Sequence, residues 1–268
     1  VPFSDLDLAR RLELAEGEGG ARFVEARNRL APEAGAQWIE IAGTRAMFDG
    51  ADSPVTQTFG LGLFADATEE ALRQLEMFFR ARGAPVNHEV SPLSGVALAD
   101  RLCRRGYRPI EFTSVMYRLL PVPHESFDGS LRVRPTAPGE HDLWSEVSAR
   151  GWGAPNLRDF LMGFGRVNTN IEGNIALFAE LDGEPVATAV LRCTEGVALL
   201  AGASTVPEAR NRGAQRALLG ARLALAAHEG CDLAMMCAEP GSASQRNAER
   251  HGFRIAYTRT KWQLATRG

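Results

Sequence analysis

A chain of 268 residues, 45% hydrophobic and 24% charged, can bury one large core or two ordinary ones and is too apolar for a disordered segment. The formal net charge of −3 offers no field for a polyanion, so nucleic acid is not an expected partner. No apolar run reaches the length of a membrane span, and Val1-Pro2-Phe3-Ser4-Asp5 lacks the basic and apolar regions of a signal peptide, so a cytoplasmic protein without membrane contact is expected.

The first half opens on two predicted helices, Leu6 to Ala15 and Arg22 to Arg29, separated by a glycine-rich stretch. Gln37 to Ala42 and Thr44 to Phe48 read as a hairpin, and Thr56 to Phe64 as a third strand. A helix over Thr68 to Arg82, a strand over Pro85 to Glu89 and a helix ending at Arg105 follow. Gly106-Tyr107-Arg108 then leads into a strand over Ile110 to Tyr117. The stretch 121–130, with two prolines, a glycine and two serines, reads as a linker, giving domains at 1–120 and 131–268.

In the second half, Leu131 to Arg134 alternates like a short strand, and Gly139 to Arg150 and Asn156 to Val167 are amphipathic enough for helices. Asp182-Gly183 joins strands over Ile175 to Leu181 and Pro185 to Cys193, because both residues tolerate positive φ. Val197 to Ser204 is an apolar strand, and Gly213 to Glu229 a helix with Leu218, Ala221 and Leu225 on one face. Leu233 to Cys237, a helix to His251, Gly252-Phe253-Arg254 and a strand over Ile255 to Trp262 complete the chain. That closing order repeats the end of the first half at an offset of 145 to 147 residues, which predicts two copies of one module. The first copy is the shorter. Cys103, Cys193, Cys231 and Cys237 form no CxxC pair and have no histidine at ligand spacing, so neither a metal nor a disulfide framework is expected.

Chemistry concentrates where the strand ending near Ser204 meets the helix from Gly213. Gly213 lets backbone approach a ligand, the unsatisfied amides of the helix start face it, and Arg210, Arg212 and Arg216 add positive charge, a combination suited to a pyrophosphate. With Val206-Pro207 before it, the run Arg210-Asn211-Arg212-Gly213-Ala214-Gln215 resembles the Q/R-x-x-G-x-G/A motif of the Gcn5-related N-acetyltransferase (GNAT) family, departing from it at Gln215. The helix ending in Gly252-Phe253 resembles that family's second CoA motif, with Ser244 at a position where many members have Ser or Ala.

The resemblance implies an α/β fold with a mixed sheet and two tandem GNAT-like domains, the first degenerate and non-catalytic. It implies acetyl-CoA as cosubstrate and a small-molecule or peptide amine as acceptor. Val206 would pair with pantetheine, residues 210–215 would hold the pyrophosphate, and Asn247 would reach the cofactor from its helix. The family's usual acid, a tyrosine four residues before the Gly-Phe glycine, is replaced by Ala248. Tyr257 could substitute, or water could protonate the thiolate; Tyr257 also suits a packed strand aromatic, and His251 a helix cap. Glu239 stands where a base for the amine is wanted, and Cys237 reads as an inert thiol. Trp144, Trp152 and Phe160 fall in the region of the acceptor walls. A non-catalytic acyl-CoA sensor and an interaction scaffold are the rival readings. In the first half, Ala65-Asp66-Ala67 stands where the phosphate loop would be, without glycine or arginine.

Overall fold

The structure is a computed structural model that describes residues 3–122 and 130–265, so most of the expected linker, 123–129, lies outside the described residues. Two compact units divide the chain: Val1–Arg118 with Met235–Gly268, and Leu119–Ala234. They differ from the expected division into 1–120 and 131–268, because the segment from Met235 onward groups with the N-terminal residues.

The first unit begins with α1 (Leu6–Leu30), whose start is capped by the Asp5 carboxylate accepting from the Leu8 N–H at 3.0 Å. It is one helix where the sequence predicts two. The intervening glycines act in packing: a Cβ on Gly17 would stand 3.3 Å from Arg45 Cδ, and one on Gly20 2.8 Å from Met47 Cε. Strands β1 (Gln37–Ile41) and β2 (Thr44–Phe48) form the expected hairpin, with Ala42 and Gly43 both at positive φ in the turn. Strand β3 (Gln57–Phe59) is shorter than expected, because Gly60 and Gly62 turn to φ of +82° and +76° and end it. Next come α2 (Glu69–Arg80), β4 (Asn87–Val90), α3 (Val96–Arg104) and β5 (Tyr107–Leu119).

The second unit holds β6 (Leu131–Pro135), α4 (His141–Trp152), α5 (Arg158–Thr169), β7 (Asn174–Leu181), β8 (Glu184–Thr194), β9 (Val197–Thr205) and α6 (Ala214–His228). Its sheet runs β6-β7-β8-β9, antiparallel throughout. Alternation sorts the strands onto two faces. Leu177, Ala179, Ala187 and Ala189 meet Ala214 and Leu218 of α6, whereas Ala176, Phe178 and Val190 meet Trp144 and Val147 of α4. Burying each of the larger apolar side chains contributes about 2 kcal/mol.

The chain returns to the first unit within β10 (Leu233–Ala238), and α7 (Ala243–Arg250) and β11 (Arg254–Leu264) follow. Strand order there is β1-β2-β3-β4-β11-β5-β10, with β3 and β4 parallel. The last strand is thus inserted between two strands from residues 87–119 and pairs antiparallel with both. No helix among the described residues is long and apolar enough to cross a membrane.

Candidate functional site

Between the end of β9 and the start of α6 the backbone makes a short 3-10 turn, Pro207–Ala209, and then a loop. Val206 anchors its near end: the N–H donates to the Val186 carbonyl at 2.9 Å, its own carbonyl accepts from the Ala209 N–H at 3.0 Å, and its side chain is buried with Trp144. The Val206 N–H is therefore already engaged within the sheet. Arg210 is extended, Asn211 is left-handed at φ 61°, and Gly213 is left-handed at φ 87°. Asparagine and glycine are the residues that adopt this conformation at least cost.

Gly213 is the N-cap of α6 and supplies no side-chain cap. The first helical bond there runs from the Ala217 N–H to the Gly213 carbonyl at 3.0 Å. The first turn carries no acidic residue. Amides of Ala214 and Gln215 without a helical acceptor, the positive end of the helix dipole and exposed Asn211, Arg212 and Gly213 together favour an anion.

The other loop residues fix this geometry. Arg210 donates from Nε to the Thr205 carbonyl at 3.3 Å and from Nη2 to the Gly151 carbonyl at 3.0 Å, so its guanidinium ties the loop to α4. Gln215 Nε2 donates to Thr205 Oγ1 at 2.7 Å, giving the departure from the family motif a structural use. Ala214 is buried. Gly151 allows α4 to touch the strand end: a Cβ there would lie 2.7 Å from Ser204 Cβ and 2.9 Å from the Thr205 nitrogen.

Arg222 has no counterpart among the sequence expectations. It is 3% exposed and donates to the carbonyls of Leu218 at 3.3 Å and of Val190 and Ala201 at 3.4 Å. Val190 and Ala201 flank the register shift between β8 and β9, where Gly202 takes φ 60°. Burial lowers the Arg222 pKa to about 10. An arginine on an otherwise apolar helix face was the sequence signal that could have marked it.

A cavity of about 420 Å³ opens between the end of α4, the turn at Pro155 and the segment Pro207-Glu208, with Arg150 and Arg158 in its walls. Trp144 is not an acceptor wall: it is fully buried and its indole N–H donates to the Leu177 carbonyl at 3.1 Å. Trp152 and Phe160 are exposed.

Glu239, Asn247 and Tyr257 belong to the first unit, whereas residues 206–215 belong to the second. Glu239 is exposed just beyond β10. Asn247 is half-buried on α7, and its carbonyl receives His251, which caps the helix end as expected. Ser242 caps the other end, accepting from the Gln245 N–H at 3.1 Å; Ser244 is exposed.

Tyr257 is buried, and its hydroxyl donates to Glu13 Oε1 at 2.9 Å. Arg259, also buried, bridges Glu13, Glu16 and Glu89, and the Cys237 thiol donates to Glu16 Oε2 at 3.4 Å. Burial first, and then neighbouring carboxylates, push both Tyr257 and Cys237 well above their ordinary values. Tyr257 is thus a packed strand aromatic committed to a structural bond, a poor acid for a leaving thiolate, and Cys237 is inert.

The counterpart start in the first unit, that of α2, is built the opposite way. Thr68 caps it, accepting from the Ala71 N–H at 3.2 Å, and Glu69 and Glu70 occupy its first turn. One amide of that helix end is already capped by a side chain, and its first turn is negatively charged.

Residues 141–253 match the model of the acetyltransferase (GNAT) family. No curated protein sequence matches the chain. Among solved structures, a GCN5-related N-acetyltransferase from Kribbella flavida is similar at TM-score 0.62 and 19% identity, covering 92% of this chain and 96% of that one. One from Sphaerobacter thermophilus gives TM-score 0.58 at 16% identity, over 86% of this chain and 76% of that chain. A tandem GNAT protein from the clavulanic acid biosynthesis pathway gives 0.55 at 13% identity, over 84% and 79%. The match to the GNAT family thus lies in residues 141–253, and the chain shares the fold of these N-acetyltransferase structures over most of its length.

Proposed function

We propose that the protein transfers an acetyl group from acetyl-CoA to a primary amine. The observation that carries this reading is the start of α6: amides without helical acceptors, two left-handed residues, no acidic side chain and no cap. Those features fit a pyrophosphate, which Asn211, Arg212, Gly213 and the amides of Ala214 and Gln215 would hold. Arg210 and Val206 would act behind them, by fixing the loop to α4 and β8.

In the transfer, the amine first loses a proton, for which the exposed carboxylate of Glu239 is the candidate base. Its nitrogen then attacks the thioester carbonyl carbon, a C–N bond forms and the C–S bond breaks. CoA leaves as a thiolate and takes one proton from water, which regains it from the nitrogen as its second proton departs, so the products are the neutral amide and the CoA thiol. Water is the donor in this account because all three tyrosines, Tyr107, Tyr117 and Tyr257, are buried. The chain contributes chiefly positioning.

The same burial of every tyrosine favours one alternative, acyl-CoA binding without turnover. Thiol release from acetyl-CoA, measured with and without a panel of primary amines, separates the two. Amine-dependent release is expected; tight CoA binding with no release above background would establish the sensor.

A further inference from the structure

The cavity beside the loop has walls of small apolar residues, Ala149, Ala154, Pro155 and Pro207, and its charged groups are Arg150, Arg158 and Glu208. Both arginines sit in open surface ion pairs, Arg150 with Glu208 and Arg158 with Glu146, and remain 48% and 54% exposed. Such pairs contribute roughly 0–1 kcal/mol, so a ligand carboxylate can exchange into them. Arg210 adds a third cation at the same end, its Nη2 standing 3.6 Å from where a Cβ on Gly153 would lie.

Two arginines in the walls and Arg210 beside them, against the one wall carboxylate of Glu208, disfavour a polycation, and an amine with no anionic group would leave Arg158 to Glu146 alone. Resting on the transferase reading above, we propose that the acceptor is an amino carboxylate of amino-acid size, its carboxylate on Arg158 and its ammonium toward Glu208. The transfer is then the one written above: the ammonium loses a proton, nitrogen bonds to the acetyl carbon as the C–S bond breaks, and the second nitrogen proton passes through water to the leaving thiolate.

The test follows thiol release from acetyl-CoA with the protein amino acids against their decarboxylated amines, compared at equal concentrations of free base. The amino acid of at least one pair should be used with kcat/KM more than about tenfold above its amine. Arg158→Met should abolish that preference by raising KM for the amino acid about tenfold, with the amine and CoA affinity unchanged. Equal or better use of the amines, or a preference that survives Arg158→Met, would overturn the proposal. Calorimetry with CoA on the same protein separates the two levels. CoA binding without acetylation of any amino acid overturns the acceptor assignment alone, and absence of CoA binding overturns the transferase reading itself.

Discussion

Gly213 sets the direction of the amides at the start of α6, and its φ of 87° is one that L side chains adopt only with strain. Gly213→Glu adds that strain and places a carboxylate where the helix end otherwise favours an anion. CoA affinity should fall by at least about a hundredfold, or 2.7 kcal/mol, while the far-ultraviolet circular dichroism spectrum is retained. A folded variant that binds CoA like the parent would remove the loop from the site. His88 carries a second residue-scale prediction. Burial first, and then the charge of Arg105, lower its pKa from an ordinary 6.5 to about 3. The single Tyr107 proton goes to Glu76 Oε1 at 3.2 Å, so His88 Nε2 donates to Tyr107 and Nδ1 accepts from Thr58 Oγ1 at 2.9 Å. A second ring proton would make the Thr58 hydroxyl turn from donor to acceptor and would bury a charge near Arg105. Between pH 6.5 and 3 the unfolded chain binds more protons, so stability is full above 6.5 and is lost as pH falls. At pH 5 that loss is about 2 kcal/mol. Urea denaturation at pH 7.5 and pH 5 should show a smaller drop for His88→Gln than for the parent, and equal drops would contradict this account.

At the scale of elements, α4 meets the end of β9 through a glycine and holds the loop through Arg210. Alanine is a better helix former than glycine by about 1 kcal/mol, yet a methyl at 151 would press on the Thr205 backbone at 2.9 Å. Gly151→Ala should therefore lower thermal stability, by about 1–3 kcal/mol for an overpacked contact, and weaken CoA binding with it. A variant more stable than the parent would show that the contact relaxes without cost.

Which elements were legible follows the same local physics. The hairpins at Ala42-Gly43 and Asp182-Gly183 announce themselves because their turns need positive φ and carry residues that supply it. Gly17 and Gly20 mislead for the opposite reason: their use is close approach to Arg45, Phe59 and Met47, which a helix periodicity does not reveal. Gly213 and Asn211 were readable as loop residues. The roles of Arg210 and Val206 were not, since each depends on a backbone partner, Gly151 or Val186, brought near only by the fold. Tyr257 is the extreme case, with its partner Glu13 some 244 positions away.

For the whole molecule, the recurrence of one module in sequence does not make two independent halves. Strand β11 pairs with β4 on one side and β5 on the other, and both come from the first half. A fragment of residues 130–268 leaves β11 without either neighbour, and exposed strand edges of this kind aggregate. That fragment should be insoluble alone and soluble when co-expressed with residues 1–122; a stable, soluble fragment on its own would show that the strand insertion is dispensable.

The central claim is that one helix start in the chain, that of α6, is built for a CoA pyrophosphate and that its counterpart at α2 is not. The uncapped amides beside Gly213 and the absence of an acid in the first turn of α6 carry the first part. Thr68, Glu69 and Glu70 carry the second. Isothermal titration of the full chain with CoA tests both at once. The predicted result is a single class of site with a stoichiometry of about one per chain, an expectation that rests on the anion preference of uncapped helix ends. Two equivalent sites per chain, or no binding at all, would contradict it.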